Sequence, residues 1–112
     1  MELTAIRERY LQDSFSKRMG ALAANLARLS SVAKRVRDFD VIKSLLEESE
    51  YFIEWTIRET PSDFQENLVE LQLRLALWLH GLEQDKLNLE KLSLESSEWS
   101  EKILERSGLM NA

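Results

Sequence analysis

The chain has 112 residues, 44% hydrophobic and 31% charged, with one proline, three glycines and no cysteine. That length sets one domain with a buried core; the composition excludes a disordered chain, and the missing cysteines exclude disulfides and thiolate metal sites. The formal net charge is −5, but residues 1–37 carry eight basic and three acidic groups and residues 38–112 seven basic and seventeen acidic.

The first predicted helix spans about residues 3–37. Its second half has a clear apolar seam, Phe15, Met19, Leu22, Leu26, Leu29, Ala33 and Val36. The first half uses Leu3, Ile6 and Tyr10, and the phase slips between Tyr10 and Phe15, which marks a stutter or bend. Gly20, Ala21, Ala23, Ala24 and Ala27 form a small-residue stretch that invites close approach of another helix. The charge asymmetry suits this basic helix lying against acidic later ones.

Asp38 and Asp40 are candidate caps for a second helix over about residues 40–59. Its stripe is Ile42, Leu45, Leu46, Phe52, Ile53 and Ile57, opposite a face rich in glutamate. Thr60-Pro61-Ser62-Asp63 reads as a helix start, with Thr60 as N-cap and Pro61 at the first helical position.

The third predicted helix runs over about residues 61–106. Phe64, Leu68, Leu71, Leu75, Trp78, Leu82, Leu89, Leu92, Trp99 and Ile103 share one 4-3 seam. Such a repeat, held for about six heptads, is a coiled-coil or long-bundle pattern. The stretch from Leu71 to Leu79 is apolar nearly all round and is expected at the bundle centre.

At about 1.5 Å per residue the three helices would span roughly 50, 30 and 70 Å. The distal half of the third then overshoots the others. The expected fold is all-α: an antiparallel bundle of three long helices with an extended C-terminal helix. The alternative is a four-helix up-down-up-down bundle with a break near Gly81, using Gly81 as C-cap and Asp85 as the next N-cap. The unbroken heptad phase across Gly81 favours continuity. On that reading Leu87, Leu89, Leu92, Leu94, Trp99 and Ile103 form an interface with a second copy or another helical protein.

Chemistry is sparse. One histidine, His80, excludes multi-histidine metal sites, and no phosphate loop or nucleophile elbow is present. Arg74 and His80, with five residues between them, resemble the Arg-x(4–6)-His spacing of HEPN-type ribonucleases. The resemblance implies a small helical bundle in which the arginine holds phosphate and the histidine moves a proton. The intervening residues, Leu75 to Leu79, read as core. Lys34, Arg35 and Arg37 form the strongest anion-binding cluster, beside the acids Asp38 and Asp40.

The function expected is therefore interaction, as a scaffold, adaptor or regulatory subunit, and not catalysis. A bundle ribonuclease using Arg74 and His80 is the alternative. An anion or nucleic-acid binder using Lys34, Arg35 and Arg37 is the third reading. No cofactor, metal, membrane contact or small-molecule substrate is expected. The N-terminal residues lack a basic region leading an apolar run, so a cytoplasmic protein is expected.

Overall fold

A computed structural model describes residues 3–107, which are helical apart from short connections and contain no strand. Five α-helices follow in order: α1 Leu3–Gln12, α2 Phe15–Ser31, α3 Phe39–Thr56, α4 Ser62–Glu83 and α5 Leu89–Ser107. A π-helical turn, Val32–Val36, extends α2, and a 3-10 turn, Ile57–Glu59, extends α3.

Two of the three long helices expected from sequence are each divided. The phase slip after Tyr10 is a full break, where the Ser14 hydroxyl caps α2 by accepting from the Lys17 amide. The third helix ends at Glu83 and restarts at Leu89. A continuous helix there would be roughly 70 Å long, whereas the described residues extend 35 × 30 × 22 Å.

The break has a clear local cause. Asp85 adopts the left-handed region at φ 56°. Its amide donates to the Leu82 carbonyl and the Lys86 amide to the Gly81 carbonyl. That pair of bonds is a Schellman ending with Asp85 in the place glycine usually takes. Asn88 then opens α5, its side chain accepting from the Lys91 amide. Gly81 stays inside α4, and Asp85 ends one helix without capping the next.

Of the other expected caps, one holds and one does not. Asp38 is the cap of α3, accepting from the Asp40 and Val41 amides. The preceding Arg37 takes the left-handed conformation at φ 54° that allows so tight a turn without glycine. Thr60 does not cap α4. It is buried, and its hydroxyl donates back to the Thr56 carbonyl, closing the end of α3. Pro61 stands at the cap position of α4 and its carbonyl accepts from Phe64 and Gln65.

One continuous core unites the helices. Met19, Leu22, Leu26 and Leu29 of α2 meet Ile42, Leu46 and Ile53 of α3, Leu68, Leu71 and Leu75 of α4, and Leu92 and Ile103 of α5, all fully buried. The 4-3 seam read from the sequence is therefore the core face of both α4 and α5.

Helices α2 and α5 are antiparallel and in close contact. Ser16 donates to the Ser107 carbonyl at 3.2 Å, Ser100 to the Ala23 carbonyl at 2.8 Å, and Ser30 and Ser93 exchange hydroxyl-to-carbonyl bonds at 2.6 and 2.9 Å. Positions 16, 23 and 30 face 107, 100 and 93, so the contacts repeat every heptad. Hydroxyls reach a neighbouring backbone only when side chains between the helices are small. Of the small stretch on α2, Ala23 is the buried member, while Ala24 and Ala27 are exposed.

Helix α1 is held by a buried polar hub. The Arg18 guanidinium donates to the carbonyls of Leu11 and Asp13 and, at 2.6 Å, to the Glu59 carboxylate. Tyr10 donates to the Arg18 carbonyl and accepts from Thr56. Its ring stacks on Phe52, with centroids 4.1 Å apart. Burial pushes the Tyr10 hydroxyl pKa up to about 12.

Candidate docking surface on helix α4

Helix α4 is buried on one side only. Phe64, Leu68, Leu71, Leu75 and Trp78 face the core, and the Trp78 indole donates to Glu95 of α5. The opposite side presents Val69, Leu73 and Leu77, which are 49%, 63% and 60% exposed. A spacing of four keeps such residues on one helix face. The stretch 71–79 is thus not central: its second apolar stripe meets solvent. The strict alternation of leucines there serves two opposite faces of one helix.

Beside Leu73 the surface dips into an almost wholly apolar hollow between α3 and α4, lined by Ile53, Ile57, Val69 and Leu73 with Glu54 and Gln72. The Gln72 amide nitrogen donates to the Glu50 carbonyl, tying the two helices at this level. Acids rim the face. Glu66 and Glu70 stand exposed on α4 itself, and Glu47, Glu50 and Glu54 line the α3 side. Burial, reinforced by the neighbouring charges of Glu47 and Glu54, raises the Glu50 pKa above the ordinary carboxyl value.

That shift has a testable sign. A carboxyl whose pKa is raised by folding binds its proton more tightly in the native state, so its ionisation costs stability above the folded pKa. The cost disappears below the unfolded pKa of about 4.3. Glu50→Gln is expected to raise the melting temperature at neutral pH and to give no gain at about pH 4. Thermal unfolding followed by circular dichroism at both pH values checks this; an equal gain at both would point to a packing effect.

The interface residues expected from sequence are spent largely inside the molecule. Leu92, Trp99 and Ile103 are buried in the core, and Leu87 and Leu89 pack against it. Leu87 lies over Gly81. Leu94 alone among the six is well exposed, at 61%. The uncovered distal half was an outcome of assuming one continuous helix; once α5 folds back, α2 covers it.

Arg74 and His80 do not converge. Six residues on one helix turn through about 600°, leaving the side chains some 120° apart. Arg74 lies in a groove with Lys102, Trp99 and the three acids Glu70, Glu95 and Glu98, and His80 is exposed outside it. Lys34 and Arg37 do share a groove, with Ser30, Ser93, Ser97, Leu94 and Glu90, while Arg35 is exposed in the same turn. Among the described residues no group of three or more metal-ligating side chains is assembled, and no helix is long and apolar enough to cross a membrane.

Fold and surface together define an all-helical protein with one helix face left unpartnered. Comparison with protein-family models, curated proteins and solved structures finds no match.

Proposed function

We propose that this chain is a protein-interaction module, a scaffold, adaptor or regulatory subunit of the cytoplasm, and that it docks through the outer face of α4. The row Val69, Leu73 and Leu77 carries this reading. Single exposed apolar residues are ordinary, but three in register beside an apolar hollow make a contiguous strip, the feature that marks interaction sites. The acidic rim supplies orientation and selectivity around it.

Photo-cross-linkers placed at position 73 and, separately, at position 94 in the full chain test the surface in its native cells. The expected result is one discrete adduct from position 73, lost when Val69→Ser and Leu77→Ser are added. An adduct from position 94 alone would overturn the assignment to α4.

A further inference from the structure

We infer that the occupant of the α4 face is a basic amphipathic helix of another protein, its apolar side chains in the hollow beside Leu73 and a lysine or arginine in the acidic groove that continues it. The inference rests on the α4 face being a docking surface. It adds the partner's chemistry and the residues that read it.

The first support is that the hollow and the groove are one channel. The groove is lined by Glu47, Glu50, Tyr51 and Leu79, with Glu54 and Gln72. Glu54 and Gln72 also line the apolar hollow, so the two join end to end along the line between α3 and α4. From Ile57 back to Glu47 that line is about 15 Å long, or about three helical turns. An amphipathic helix laid in such a channel places apolar anchors at spacings of three and four. One end of the channel takes those anchors, and the other is polar.

The second support is charge left uncompensated there. Among the described residues the ion pairs are Arg18 with Glu59, Lys91 with Glu95 and Arg106 with Asp63. None uses Glu47, Glu50 or Glu54 of the groove, nor the exposed Glu66 and Glu70 of α4. The bases in and just after these two helices, Lys43, Arg58 and Arg74, line neither the hollow nor the groove. Glu50 feels the charges of Glu47 and Glu54 in a partly buried position. A cation entering the groove relieves that repulsion, and Tyr51 in its wall suits the same guest.

Other occupants fit less well. Anionic lipid headgroups and nucleic-acid phosphates are repelled by the same five acids. Two α4 faces related by a two-fold axis would set those acids against their own copies. The chain's own basic cluster, Lys34, Arg35 and Arg37, stands beside Asp38, Asp40 and Glu90, so it offers no net positive surface to a second copy.

Three synthetic helical peptides test the inference. They share one leucine stripe and carry lysine, glutamine or glutamate at the flanking positions. Binding to the full chain is followed by fluorescence anisotropy at low and high salt. The lysine peptide is expected to bind, less tightly as salt rises, and the glutamate peptide not to bind. Glu47→Gln/Glu54→Gln is expected to weaken the lysine peptide about tenfold, the effect of two exposed ion pairs. Leu73→Ser is expected to weaken it about tenfold or more. Glu101→Gln/Glu105→Gln, which removes the same charge from the exposed side of α5, should leave binding unchanged. Glu50→Gln and Val69→Ser replace the first two variants should either fail to show a native helical spectrum. Equal binding of all three peptides overturns the inference, as does equal weakening by the α5 variant, which would reduce it to net charge. A lysine peptide that does not bind also overturns it, while the cross-link from position 73 still decides the α4 face separately. Self-association of the chain in sedimentation, abolished by Leu73→Ser, would give the face to a second copy and overturn it too.

Discussion

A chain ending at Gln84 is expected to lose its cooperative unfolding transition. The deletion removes Leu92, Trp99 and Ile103 from the core and uncovers the face of α2 that α5 protects. Burial of a large apolar side chain contributes about 1.5–3 kcal/mol. Three such losses, with the uncovering of α2 added, approach or exceed the total of about 5–15 kcal/mol that holds a domain folded. Far-UV circular dichroism of the truncated chain should show weakened helix and a broad, uncooperative melt. A sharp melt near that of the full chain would show α5 to be dispensable. The same experiment separates this fold from a projecting helix, whose removal would leave a folded remainder.

The second large effect is expected at Ala23. Its side chain is 1% exposed and its carbonyl accepts from Ser100 in the tight α2–α5 seam. Ala23→Leu adds three carbons to a buried position between the two helices. Overpacking alone costs about 1–3 kcal/mol. Forcing the helices apart also lengthens the hydroxyl bonds on either side, each worth about 1 kcal/mol. A total of about 3–5 kcal/mol is expected in urea denaturation. Ala24→Leu, one residue on and exposed, should change stability by no more than about 0.5 kcal/mol. Equal effects at the two positions would contradict the seam.

Much of the helical core can be read directly from residue spacing. The seams through Met19 to Leu29, Ile42 to Ile53 and Phe64 to Trp78 are the buried faces. The break between α4 and α5 is harder to read, for a physical reason. Asp85 supplies the left-handed turn that glycine would have advertised, and the loop happens to restore heptad phase, so both helices continue one apolar line. Length arithmetic on a continuous helix then assigns Leu92, Trp99 and Ile103 to a partner.

The α4 face is obscured by the same leucine-rich composition. Leu71 and Leu75 go inward and Leu73 and Leu77 outward, and nothing local distinguishes them. Distribution of acids gives a hint, since Glu66 and Glu70 lie with the outward set. The α2–α5 seam has a plainer signature: serine or alanine at 16, 23 and 30, and serine at 93, 100 and 107. Small residues on one heptad line predict close packing, and both lines are visible without coordinates.

That repeating seam is ambiguous about alignment. Sliding α5 by seven residues would bring Ser100 opposite Ser16 or Ser30 and leave equivalent hydroxyls beside equivalent carbonyls. The serines fix how near the helices come, but they tolerate more than one alignment. What forbids the slide is the tether: the short Gln84–Asn88 connection, half of it committed to the Schellman turn, cannot take up a shift of about 10 Å. Trp78 holding Glu95 adds a second pin. A chain severed within that connection would have only the Trp78–Glu95 bond left, of these two pins, to select one alignment over its neighbours.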